Sequence, residues 1–168
     1  MSTLLNKKVL VDLPVMVPAD GARAQDRYAR AITSGQPHFF GYYDKCPWSA
    51  DGRQILAMRA PFQDRPPIEN DMLTLGTVDA SNGSFTPFAE TTAWCWQQGT
   101  MLQWLPSGEV IYNARKDGRL IAVIQHLSTG RRREMARSIY AVHPNGKEAI
   151  SLNFHRLQAY RAGYGYPP

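Results

Sequence analysis

Three segments of this chain repeat one turn: Trp48-Ser49-Ala50-Asp51-Gly52, Trp104-Leu105-Pro106-Ser107-Gly108 and Val142-His143-Pro144-Asn145-Gly146. In each, a large apolar residue stands four positions before a glycine and a short apolar run follows, so one strand enters the turn and another folds back. The turn glycines are 56 and then 38 residues apart. That spacing suits four-stranded repeats better than a single closed domain.

The second half of each unit strengthens the repeat. Asp71 to Asp79 reads as a strand, Ala80-Ser81-Asn82-Gly83 as a turn and Ser84 to Phe88 as the returning strand. In the next unit Leu120 to Leu127 is followed by Ser128-Thr129-Gly130 and a basic strand from Arg131. Asn-Gly and Thr-Gly supply the positive backbone dihedrals that tight hairpins need. Two successive hairpins make one blade, and the expected fold is all-β, built of β-propeller blades. A third unit starts near Ser138, continues as a strand over Ile150 to Phe154, and ends before an outer hairpin.

A propeller closes with about four to eight blades, whereas 168 residues hold about two and a half four-stranded antiparallel ones. The expectation is an incomplete propeller over residues 38–168, preceded by a leader over 1–37, in the N-terminal portion of a longer protein. Missing blades, or self-association, are expected to cover the open blade edge, because unpaired strand edges invite pairing. Within the leader, Lys8 to Leu13 is suited to donating a closing strand, and Ala19 to Ser34 has a helix-compatible composition without a strong amphipathic face.

No stretch reaches the ~18 apolar residues of a membrane span. The apolar run Val9 to Val17 is interrupted by Asp12 and Pro14, which a signal-peptide core avoids. Cys46 and Cys95 are too few for a disulfide framework and read as free thiols of a cytoplasmic protein. The net charge of +5 raises the question of nucleic acid. Its only dense cluster, Arg131-Arg132-Arg133, falls on an outer strand without an aromatic stacking series, so it reads as a solvated edge and no nucleic-acid partner is expected. No Cys-x-x-Cys or His-x-x-x-His spacing offers a metal site.

In propellers the first strand of each blade lines the central channel. There the chain places His38-Phe39-Phe40-Gly41-Tyr42-Tyr43-Asp44-Lys45 and Trp94-Cys95-Trp96-Gln97-Gln98-Gly99. Strand alternation would set His38, Phe40, Tyr42 and Asp44 on one side, with Tyr43 and Lys45 on the other. Tyrosine and histidine at blade starts also serve as inter-blade hydrogen-bonding groups, Asp44 with Lys45 or Arg53 makes an ordinary ion pair, and Trp94 and Trp96 suit either inter-blade filling or a carbohydrate-facing platform. The ligand-binding candidates are His38, Tyr43, Asp44, Lys45, Trp96 and Gln98. No catalytic set is complete among them.

The runs His38 to Arg53, Gly99 to Trp104 and Ser138 to Gly146 resemble the opening of bacterial propellers of the TolB-like, WD40-like superfamily. Among functionally understood relatives the chain is similar to the oligogalacturonate lyases, over about residues 38–157. The resemblance implies that a complete propeller of this kind would carry a divalent metal, typically manganese, on histidine and glutamine side chains of later blades, with a histidine as base. No ligand maps onto a position of this chain, which on that reading contributes channel wall. The expected function is a binding or interaction scaffold, for an acidic carbohydrate or a protein. The alternative is the N-terminal part of a metal-dependent polysaccharide lyase or a hydrolase.

Overall fold

The computed structural model describes residues 32, 33 and 35–168. The strand suggested at Lys8 to Leu13 lies outside the described residues, as does most of the helical stretch suggested up to Ser34.

The described residues form mostly β structure, in three antiparallel sheets. The first is a four-stranded meander of β1 (His38–Phe39), β2 (Gln54–Arg59), β3 (Leu73–Asp79) and β4 (Phe85–Thr91). The second repeats it with β5 (Gln103–Trp104), β6 (Val110–Lys116), β7 (Arg119–Gln125) and β8 (Arg132–Met135). The third is a hairpin of β9 (Ala141–Val142) and β10 (Ala149–Ile150), followed by α1 (Phe154–Tyr160).

One local recipe makes the three matching turns. Ser49 N donates to Gln54 O, Leu105 N to Glu109 O and His143 N to Glu148 O, each at 2.8 Å. The glycines close the turns with φ of 70°, 79° and 69°, a region that costs side-chain-bearing residues strain. The residue before each glycine then accepts a backbone N–H two positions on: Arg53 N to Asp51 at 3.1 Å, Glu109 N to Ser107 at 3.4 Å and Lys147 N to Asn145 at 2.9 Å. Asn82 and Thr129 do the same for Ser84 N and Arg131 N in the second hairpins. Short polar side chains are favoured before turn glycines for this reason.

Packing follows from strand alternation. Val110, Tyr112 and Ala114 of β6, with Val123 and Ile121 of β7, face the first sheet, where Leu56, Met58, Leu73, Leu75 and Trp94 complete one core. The intervening residues Ile111, Ala122 and Ile124 face the opposite way, into a second core with Met101, Ile139, Phe154 and Tyr166. The middle sheet is therefore covered on both faces. Fully burying a side chain such as Leu56 or Val110 is worth about 1.5–3 kcal/mol, so these two layers dominate the stability.

The matching turns also abut. Trp104 Nε1 donates to Pro47 O at 2.9 Å, and a Cβ on Gly146 would lie 3.2 Å from Cδ of Pro106. Polar side chains tie the sheets together. Gln125 Nε2 donates to Phe88 O at 3.3 Å, linking the second sheet to the first. On the opposite face Gln103 reaches Tyr140 O and Val142 N, at 3.1 and 3.4 Å.

Two expectations need correction. The strand anticipated over Ile150 to Phe154 stops at Ile150. Asn153 then caps α1 by accepting Arg156 N at 2.9 Å, while Phe154 is drawn into the second core. The alternating strand anticipated from His38 to Asp44 stops at Phe39. Gly41, at φ 135°, redirects the chain, and a Cβ there would meet Gln98 O at 3.1 Å.

Candidate functional site

The loop that follows β1 holds a polar cluster. Lys45 Nζ donates to Asp44 Oδ2 at 2.6 Å and stands 4.7 Å from the centroid of the Tyr140 ring. The Tyr140 hydroxyl donates to the same carboxylate oxygen at 3.4 Å. The side chain of Lys45 is only 10% exposed and that of Asp44 34%, so the pair has a wet rim and a sheltered ammonium. Desolvation first, and the Asp44 charge second, hold the Tyr140 phenol above its ordinary pKa and keep it a proton donor.

Two more tyrosines extend the cluster outward. The rings of Tyr42 and Tyr43 are 4.4 Å apart, and Tyr43 is 87% exposed. A hydrogen bond with Tyr43, followed by desolvation, raises the Tyr42 pKa, while the Arg161 charge pulls the other way. Arg161 lies 3.6 Å from the centroid of the Tyr164 ring. The loop thus combines a solvent-facing aromatic surface with one carboxylate and one cation, and the charge of Arg161 is felt at Tyr42.

Asp44 and Tyr140 come from the first and third units, whose faces are separated by the middle sheet. Tyr140 immediately precedes β9 and donates its backbone N–H to Ile150 O at 2.8 Å. Asn113 holds the adjacent residue: its Nδ2 donates to Ile139 O at 2.8 Å, and its Oδ1 accepts Ile139 N at 2.7 Å. The ring that touches Asp44 is thereby positioned from the core of the second sheet.

Of the residues anticipated from sequence, Tyr43, Asp44 and Lys45 share this loop. The other three sit in packing positions. His38 places its ring 4.8 Å from that of Phe85, and both its nitrogens are buried without a hydrogen-bond partner among the described residues. Gln98 is buried, with Oε1 likewise unpartnered there. Trp96 donates Nε1 to Arg65 O at 2.8 Å and packs 5.0 Å from Phe39 and 5.1 Å from Trp94. It clasps the loop in which Asp71 accepts two hydrogen bonds from Arg65, at 2.6 and 2.9 Å. Trp94 is fully buried, its indole N–H given to Asp71 O at 2.8 Å.

Sequence reasoning left Tyr140, Arg161 and Tyr164 out of the site. Tyr140 stands two residues before Val142 of the third repeat, as Cys46 stands two before Trp48 in the first. Equivalence between the repeats was the available signal. Among the described residues no group of three or more His, Cys, Asp or Glu side chains is placed to hold a metal. Among the described residues no helix is long and apolar enough to cross a membrane. Compared with known proteins, the chain matches no family model, no curated protein and no solved structure.

Proposed function

We propose that this chain forms part of a propeller-like binding scaffold, and that the Tyr42–Lys45 loop with Tyr140 recognises an acidic carbohydrate at the inner edge of the blades. One observation carries the reading: Tyr140 of the third unit reaches Asp44 of the first across the middle sheet. Sheets stacked in parallel layers would keep the first and third apart, whereas sheets fanned about an axis bring their inner edges together. The β1–β4 and β5–β8 meanders are then blades, and β9–β10 is the inner half of a third. At the inner edge Tyr43 offers an exposed ring to a sugar face and Arg161 offers charge to a carboxylate, while Lys45 is held by Asp44.

Calorimetric titration with a short oligogalacturonate, beside an uncharged oligosaccharide of equal length, tests this. Saturable binding of the acidic ligand alone is expected. Tyr43→Ala removes an exposed ring without disturbing the core and should weaken that binding about tenfold. Equal affinity for the neutral oligosaccharide, or unchanged binding by Tyr43→Ala, defeats the proposal. Release of an unsaturated uronate product during the titration points instead to a lyase.

A further inference from the structure

A second surface, away from the Asp44 loop, has the character of an anion site. A cleft of about 620 Å³ opens between the β6–β7 turn, the segment after β8 and the start of α1. Its lining includes Arg119, Arg137, His155, Ser138 and Ser151, and no carboxylate.

The two arginines are set apart by what they lack. Elsewhere in the described residues, guanidinium groups are engaged by carboxylates (Arg65 on Asp71, Arg133 on Glu109), by carbonyls (Arg115 on Pro167, Arg132 on Phe88) or by rings (Arg59 over Phe85, Arg161 over Tyr164). Among the described residues, Arg119 and Arg137 have no such partner, and both line the same cleft. Asp117, two residues from Arg119, is no part of the lining. Two unneutralised guanidinium groups lining one concavity raise its positive potential. An oxyanion bound there would be met by forked hydrogen bonds.

Gly118 at the β6–β7 turn stands in open space, with nothing within 4 Å of where a Cβ would be. Within the lining, Ser151 Oγ donates to Ser138 O at 2.5 Å, and Phe154 is wholly buried. We propose that this cleft binds a small ligand through a carboxylate or phosphate group held between Arg119 and Arg137. It is independent of the carbohydrate surface proposed above.

Chemical-shift mapping of the whole 15N-labelled chain, at constant ionic strength, tests the proposal with inorganic phosphate, galacturonate and chloride as probes. Saturable shifts at Gly118–Leu120, Ala136–Ser138 and Ser151–His155 are expected with phosphate, galacturonate or both, and none with chloride; any shifts galacturonate causes at Tyr42–Lys45 belong to the sugar surface and should vanish in Tyr43→Ala. Whichever saturates identifies the oxyanion. Arg137→Gln and Arg119→Gln, both at exposed positions, should each weaken the binding about tenfold or more. Tyr43→Ala should leave it unchanged, separating this site from the proposed sugar surface. Shifts that fail to saturate, that chloride reproduces, or that survive the double Arg119→Gln/Arg137→Gln variant overturn the inference.

Discussion

Replacing Asn113 by leucine should be among the most damaging conservative changes available to this protein. The side chain is fully buried, donates from Nδ2 to Ile139 O and to the Tyr166 hydroxyl at 2.8 Å each, and accepts Ile139 N at 2.7 Å. Leucine branches as asparagine does, so no cavity forms; its bulkier methyl groups add some overpacking to a loss that is mainly polar. Three hydrogen bonds at a net value of about 1 kcal/mol each, with stranded groups left in a dry core, give a cost of about 3–5 kcal/mol. Tyr166→Phe removes one of the three, and Asn113 keeps both bonds to Ile139, so its cost should be about 1 kcal/mol. Urea unfolding measures both, and midpoint shifts at constant m are expected. Hydrogen exchange at the Ile139 amide should accelerate in Asn113→Leu and much less in Tyr166→Phe. If Asn113→Leu unfolds within 1 kcal/mol of the parent, or no earlier than Tyr166→Phe, the assignment of the third unit's anchorage to Asn113 is wrong.

The two cysteines should separate cleanly: burial pushes the Cys95 thiol up to about 11 whereas Cys46 is exposed, so a thiol reagent at mildly alkaline pH should label Cys46 in the folded protein and both in denaturant. Cys95 lies in the second core with Met101 and Tyr166, and its rapid labelling in the native protein would contradict that placement. The Arg65 guanidinium beside Asp71, helped by the Ile68 N–H, holds the Asp71 carboxyl below its usual range. A depressed folded pKa gives stability that is complete above the unfolded value near ~4 and drains away as pH falls through the folded value. Tryptophan emission, to which Trp94 on Asp71 O and Trp96 on Arg65 O both contribute, should therefore change on acidification below ~4, and Asp71→Asn should show part of that change already at neutral pH. An acid profile unaltered by Asp71→Asn would detach the 61–71 loop from this pair.

The parts of the fold that were legible in the sequence are those written in local backbone chemistry. Asp51-Gly52, Ser107-Gly108 and Asn145-Gly146 each encode a turn within five residues, and the runs on either side alternate as strands must. What escaped depends on long-range partners. Ser151-Leu152-Asn153-Phe154 continues an apolar pattern that reads as strand, and only the cap bond from Asn153 with the burial of Phe154 beside Tyr166 makes a helix there. Asn113 and Gln103 look like polar interruptions of β strands. Their value appears only when the backbone of Ile139 to Val142 arrives to use them. The loop carrying Tyr43, Asp44 and Lys45 was visible as a concentration of reactive side chains. Its partner Tyr140 was not, because that pairing spans 96 positions of chain.

The account turns on a middle sheet that serves two neighbours at once, its strands alternating between them. Nuclear Overhauser contacts at two adjacent residues of β6 test it most directly. The side-chain amide of Asn113 should contact Ile139 and Tyr166, while the Tyr112 ring, 6.2 Å from that of Phe88, should contact the first sheet. Finding Asn113 and Tyr112 with the same set of neighbours, or either amid water, would contradict the two-faced sheet and with it the proposed radial arrangement.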